Sequence, residues 1–452
     1  MESSQSRAGL NPVTGAASVV CMSKALRPRR SVRAGRVALL LSAALLAGCA
    51  GPQLMPTPNV YRDRSQNPFA GVPAVFRTNR VDLLYVTDRR RESDARGRPA
   101  YTYGRSPTLA YGSCEVELGR GLDWDRLVAL SRAARRTNAV PVRVAWVREL
   151  GRLPGEPPVR ATAAGLEYDP AAQAARQRAV AQFQAEVRRR LELTPRKEVF
   201  LYVHGFNNDF NWAATVAAQL WHFLPRQGVP VLYTWPAGRG GLLGYNYDRE
   251  SSEFTVGHLK QTLRALLTCP GVEKIHLLAH SRGTDVASSA VRELLIEQRG
   301  PERPVLRLAR LENLILIAPD LDFDVAGQRL GDELVPLAVG RLTVYVHEKD
   351  RAVNLANWLF EGFRRLGQLR TTDFTEEQKR RMREARSVQF IDARVRSDLL
   401  GHGYFHNHPA VSSDLLQLLR ENCDAGDEAC RPLRREDGVF WKITDDYLAP
   451  PP

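Results

Sequence analysis

What this chain of 452 residues lacks narrows it first. The uncharged run behind its basic start, Val37 to Ala47, is about eleven residues, against the roughly twenty that a permanent membrane-spanning helix needs. Six cysteines fall nowhere near paired C-x-x-C spacings, which argues against a zinc framework. No internal repeat is present, and no composition break divides the chain beyond about residue 80, so the body reads as one large domain with insertions. Lysine is scarce; nearly all of the 64 basic side chains are arginine, scattered among acids. Arg188-Arg189-Arg190 closes an amphipathic helix and Arg380-Arg381 sits in a charged one. Both read as solvated faces, which disfavours a nucleic-acid footprint.

What is present begins with Lys24, Arg27, Arg29, Arg30, Arg33 and Arg36, followed by the apolar run. This is the build of a secretory signal. It ends Leu46-Ala47-Gly48-Cys49, which resembles a bacterial lipobox, so residues 1–48 are expected to be removed and Cys49 lipidated. Met22 would give a signal of ordinary length and is the expected start of translation. No Asp follows Cys49; by analogy with lipoprotein sorting, that points to the outer membrane, facing the periplasm. Removing residues 1–48 lowers the formal net charge from +14 to about +8. Residues 49–80, rich in Pro and Asn, read as an extended tether. Cys423 and Cys430 bracket a polar loop short enough for a local disulfide in an oxidising compartment, although connectivity stays open from sequence.

Strands are expected at Val81–Thr87, Leu109–Leu118, Val142–Val147, Val199–Val203 and Val229–Trp235, with helices at Ala171–Leu193 and Asn211–Phe223 and a loop over Pro154–Ala164. Alternating strands and helices predict an α/β fold, a mostly parallel sheet covered on both faces, with a strand extension at its N-terminal side. Within it, Glu273–Leu278 runs into Ala279-His280-Ser281-Arg282-Gly283 and then into a helical pattern over Gly283–Gln298. A turn this tight demands small neighbours two before and two after the serine, here Ala279 and Gly283. This is the build of a nucleophile elbow. Roughly seventy residues earlier another apolar strand ends in His204-Gly205-Phe206-Asn207, the place from which such folds offer one backbone N–H to an oxyanion; the residue after the nucleophile, Arg282, offers the other.

A serine hydroxyl needs a base, and the base a carboxylate. In this topology the acid follows a late strand, so Leu342–Val346 leads to Asp350, with Asp320 in Ala318-Pro319-Asp320 as the competitor. After the last strand, Val388–Ile391, come His402, His406 and His408. Their spacing lacks the partner pattern of a metal site, and no cofactor is implied. His204 and His280 read as packing residues beneath the oxyanion loop. Tyr245, Asp248 and Trp235, in the loop after the strand ending in Trp235, are expected to border the pocket. Arg282 could meet an anionic substrate group or pair with a nearby acid, and the pairing is preferred.

Asp82-Leu83-Leu84-Tyr85-Val86-Thr87-Asp88-Arg89, Tyr111-Gly112-Ser113-Cys114, His204-Gly205-Phe206-Asn207-Asn208, Trp235-Pro236 and Tyr245-Asn246-Tyr247-Asp248, taken in order, resemble the bacterial α/β-hydrolase family of unknown function DUF900, over about residues 81 to 420. The resemblance implies an α/β-hydrolase fold with a serine nucleophile and no agreed substrate. It also places the Gly-His-x-Tyr pattern on His402. The expected organisation is residues 1–48 signal, 49–80 tether, 81–422 hydrolase domain and 423–452 a C-terminal extension. The expected function is a lipid-anchored serine hydrolase taking a small-molecule or lipid ester, with Ser281, His402 and Asp350 as triad. The rival is a non-catalytic lipoprotein of the same fold that binds an envelope partner. Oligomeric state is not legible.

Overall fold

Short β-branched and apolar segments alternate with helices whose apolar stripes need a surface to cover, and a single sheet supplies that surface. The computed structural model describes residues 51–62, 67–93, 97, 99–240, 242–299, 307–347, 365–384, 387–396, 401–436 and 438–450. The chain divides into residues 1–50 and a body from Gly51 onward. The signal segment, Cys49 and Asp350 lie outside the described residues.

The strands are β1 (Arg80–Ser93), β2 (Pro99–Leu118), β3 (Val142–Leu153), β4 (Val159–Thr162), β5 (Gly165–Tyr168), β6 (Glu198–Val203) and β7 (Val229–Thr234). They continue with β8 (Lys274–His280), β9 (Leu311–Ile317), β10 (Arg341–Val346), β11 (Val388–Ala393), β12 (Arg434–Glu436) and β13 (Phe440–Ile443). Eleven of them form one sheet in the order β12-β13-β11-β10-β9-β8-β6-β7-β1-β2-β3. Every pairing from β1 across to β13 is parallel. At one margin β2 and β3 turn antiparallel, and at the other β12 does.

Because side chains alternate along a strand, the sheet feeds two cores. Leu201, Val203, Leu277 and Ala279 face the helices Pro170–Glu192, Leu242–Leu267 and Gly283–Gln298. Phe200, Tyr202 and Leu278 face Phe210–Phe223 and Pro409–Glu421. Parallel strands buried on both sides read as near-continuous apolar runs, which is how β6 and β8 appear in the sequence.

Four expectations need correction. The stretch 49–80, read as a tether, is part of the body from Gly51: Leu54, Met55, Tyr61, Phe69 and Val72 are all at most 5% exposed. They fill irregular gaps in the second core, Tyr61 and Phe69 meeting each other and Phe223 there, so no period marks them. Second, Pro154–Ala164 is not all loop, since β4 pairs with β5 in a separate exposed hairpin. Third, Tyr245 and Asp248 lie in the first turns of the helix Leu242–Leu267, not in a loop. Last, residues 423–450 add β12 and β13 to the main sheet instead of appending to it. Cys423 and Cys430 are disulfide-bonded, and Cys114 and Cys269 are free and buried. Directly after that loop Arg431 reaches the buried Asp414 carboxylate with two guanidinium nitrogens, at 3.0 and 2.8 Å, and so ties the segment to the helix Pro409–Glu421.

Candidate active site

Ser281 sits between β8 and the helix Gly283–Gln298 with φ +54°, a left-handed conformation that non-glycine residues adopt only where their surroundings impose it. Its N–H donates to Ile317 O at 2.9 Å, and its carbonyl accepts from both the N–H and the hydroxyl of Thr284 at 3.0 and 2.7 Å. These bonds hold the strained turn from both sides. Crowding explains its small residues. A methyl at Gly283 would lie 2.3 Å from His204 O, and one at Gly205 would lie 2.7 Å from Ser281 Cβ. The His-Gly loop after β6 therefore rests directly on the serine.

That loop is braced from beneath. Asn207 takes φ +55°, and its N–H donates to Asp248 Oδ2 at 2.9 Å; Gly238 N–H reaches the same oxygen at 3.2 Å. His204 is fully buried. Its Nδ1–H donates to Gly205 O at 2.9 Å, leaving Nε2 to accept from Trp235 N–H at 3.1 Å and Arg89 Nη2 at 3.2 Å. Burial first, and then the Arg89 charge, hold the His204 imidazole well below its ordinary pKa. It is neutral and serves as a brace. Trp235 stacks on the same ring, with centroids 5.2 Å apart, and its indole N–H donates to His204 O at 2.8 Å.

Arg89 went unremarked as a functional residue in the sequence. Its guanidinium is buried where the buried part of β1 ends, donating to Ala237 O and Asn208 O at 2.7 Å each and to Thr234 Oγ1 at 2.8 Å. Burial pulls its pKa down to about 10, so it remains a cation at neutral pH. The signal that could have found it is Thr87-Asp88-Arg89, charged residues where a buried strand reaches the carboxyl edge.

Asp248 and Trp235 therefore do not border the pocket as expected. Both are fully buried under the His-Gly loop. Tyr245 does line it. Its ring lies 5.4 Å from that of Phe206, and its hydroxyl is 3.4 Å from Asp320 Oδ2. Among the described residues, no backbone acceptor takes the N–H of Phe206 or of Arg282.

His402 comes to the elbow. His280 Nε2–H donates to His402 O at 3.1 Å, and the two rings are 4.7 Å apart. Burial keeps His280 neutral, as expected for a packing residue. His408 turns elsewhere, capping the helix Pro409–Glu421 through Ala410 N–H and meeting Asp445 at 3.1 Å. His406 packs against Phe405. Asp320 is 4% exposed, with Arg365 at 3.4 Å. The Arg282 side chain pairs with Asp285 at 2.7 Å and donates to Ser252 Oγ at 3.0 Å, the pairing preferred from sequence. Among the described residues no group of His, Cys, Asp and Glu has the arrangement of a metal site.

Beside Arg282 opens a pocket of about 480 Å³. Arg249, Arg329, Arg365, Glu253, Asp285 and Asp322 line it together with Tyr245, Leu321 and Val325.

Residues 179–421 match the family described as alpha/beta hydrolase of unknown function, DUF900. The match starts later than the resemblance read from sequence, so the motifs on β1 and β2 fall outside it. No curated protein matches the chain. Similar solved structures include a hyperthermophilic esterase from the archaeon Pyrobaculum calidifontis, 12% identical, covering 54% of this chain and 91% of that one with TM-score 0.26. A monoclinic form of the Pyrobaculum calidifontis esterase is 13% identical over 51% and 79%, TM-score 0.26. A lipase-esterase related protein from Clostridium acetobutylicum ATCC 824 is 10% identical over 47% and 80%, TM-score 0.20.

Proposed function

Because this chain belongs to the DUF900 family of α/β hydrolases, whose function is unknown, we propose that it is a serine hydrolase that cleaves esters through an acyl-enzyme on Ser281. The observation that carries this reading is the contact of three parts in one place: the strained serine, the His-Gly loop packed on it, and the His402 backbone bonded to the preceding residue. Ser281 Oγ attacks the ester carbonyl while His402 takes its proton. The N–H groups of Phe206 and Arg282 donate to the oxyanion. Collapse expels the alcohol, which leaves with the proton from His402, and water then releases the acid by the reverse steps. Asp350 orients His402 in this scheme. Asp320, its competitor, is already engaged by Arg365 and Tyr245.

Arg249, Arg329 and Arg365 in the pocket walls support an ester that carries a polar or anionic group beside its apolar part. The lipobox-like Leu46-Ala47-Gly48-Cys49 supports a lipid anchor on Cys49 and residence in the bacterial envelope, at the outer membrane facing the periplasm. A fluorophosphonate probe tests the chemistry: labelling of the folded protein that disappears in Ser281→Ala supports it, and no labelling of either protein overturns it in favour of a non-catalytic binder. A chain-length series of nitrophenyl esters tests the substrate class, with short polar acyl groups expected to turn over fastest.

A further inference from the structure

The strand directions separate the catalytic mouth from the place where the chain joins the body. Gln53 bridges to Pro141, Val142 N–H donates to Pro52 O at 2.8 Å, and Leu54 N–H donates to Val140 O at 2.8 Å. Arg136 clamps the carbonyls of Leu54 and Met55 at 2.8 Å each. The chain is therefore fixed from residue 52 onward at the beginning of β3. In register, Val142 pairs with Leu118 at the far end of β2, which is the amino edge of the parallel strands, whereas Ser281 stands at their carboxyl edge. Across the order β3-β2-β1-β7-β6-β8, five strand spacings of about 4.8 Å and a seven-residue β8 put the two sites roughly 30 Å apart, at opposite corners.

The leash is short. Four Cα-to-Cα steps lead from Cys49 to Gln53, and even fully extended they span only about 14 Å. A leash of that length cannot let the carboxyl edge turn round to the surface that holds the lipid. The amino edge is also suited to such a surface. Between Gly119 and Val142 the chain carries Arg120, Arg126, Arg132, Arg135 and Arg136 against Asp123 and Asp125, and Asp123 is engaged as a helix cap. Arg120, Arg126 and Arg135 are exposed.

Resting on the lipid-anchored reading above, we infer that a lipid on Cys49 seats the body with this arginine-bearing edge against anionic phospholipid headgroups and the catalytic mouth turned away. The enzyme then acts on esters presented from the side opposite its own membrane, and the lipids of the anchoring leaflet are not its substrate.

The full-length lipoprotein, purified with its lipid and reconstituted in phosphatidylethanolamine–phosphatidylglycerol vesicles, tests this. Incorporation of labelled palmitate that is lost in Cys49→Ala reports the anchor by itself; its absence overturns both the anchor and the orientation. With the anchor present, dyes on Arg135→Cys and Arg249→Cys are read by energy transfer to a vesicle lipid acceptor. Transfer at least threefold stronger from position 135 supports the inference, and equal or reversed transfer overturns it while leaving the hydrolase reading intact. A second readout compares hydrolysis of the vesicle's own phospholipid by anchored protein and by Cys49→Ala. No gain on anchoring is expected, and a tenfold gain sinks the orientation even if every esterase assay succeeds.

Discussion

His280 Nε2 and the carbonyl of His402 lie 3.1 Å apart, joining the residue before Ser281 to the loop that carries the imidazole. Since His280 is buried and neutral, this bond positions and transfers no proton. Replacing His280 with Phe keeps a ring and removes the donor. With His402 as the proposed base, the expected result is a loss of about 10- to 100-fold in kcat with KM little changed, because looser placement of its ring would weaken proton transfer more than binding. His280→Gln, which restores a donor, should recover part of the loss. Equal losses in both variants, or a change in KM alone, would reject the positioning role.

Arg89 supports the His-Gly loop from within, and its charge faces Asp88, Asp209 and Asp248. Arg89→Met would leave buried carboxylates without their cation and several carbonyls without donors. A stability loss of about 3–5 kcal/mol is expected in guanidinium unfolding. Arg89→Lys keeps the charge and cannot span all the acceptors, so an intermediate loss should follow. Equal stability of the Met variant and the wild type would show that the network is not coupled to folding.

Acid should destabilise the body through its buried histidines. His204, His222 and His280 are each held well below the ordinary histidine range, first by burial. In the unfolded chain they take up protons near pH 6.5, while in the folded protein they do not, so the unfolded state binds more protons as pH falls. Their contribution is fully present above about pH 6.5 and is lost below it, by about 1.4 kcal/mol per pH unit for each group. Unfolding measured at pH 7.5, 6 and 5 should show a steep decline. A flat profile would mean that one or more of these rings is solvated in the native state.

Legibility in the sequence follows what local physics can encode. The elbow could be read because a strand, a tight turn and a helix leave separate marks on adjacent residues, and Gly283–Gln298 begins and ends where the pattern places it. The His-Gly loop was legible for the same reason. Tyr61, Phe69 and Val72 were not, because each fills a gap shaped by distant segments; Tyr61, for instance, donates its hydroxyl to Phe223 O at 2.5 Å. Trp235 was placed correctly at the end of its strand and wrongly in depth, and Asp248 wrongly in both element and depth, since a residue near a pocket in sequence can face either the pocket or the layer beneath it. The antiparallel margin of β2 and β3 was predicted as strands, but the pairing that sets its edges arises only on folding.

Steric demand at the elbow gives the sharpest local test. A methyl on Gly283 would approach His204 O at 2.3 Å and Val203 O at 2.9 Å, and both are backbone atoms of the central strand and its loop. Neither can swing aside as a side-chain tip would, so Gly283→Ala must displace either the elbow helix or the His-Gly loop. Gly257, in the middle of the neighbouring helix, has nothing within 4 Å of such a methyl, and Gly257→Ala serves as the control. The helix-interior alanine should be neutral or stabilising by up to about 1 kcal/mol. Gly283→Ala should cost about 2 kcal/mol or more and lower fluorophosphonate labelling of Ser281 at least tenfold. If both alanines behave alike, the close approach of helix and loop does not govern the reactivity of Ser281.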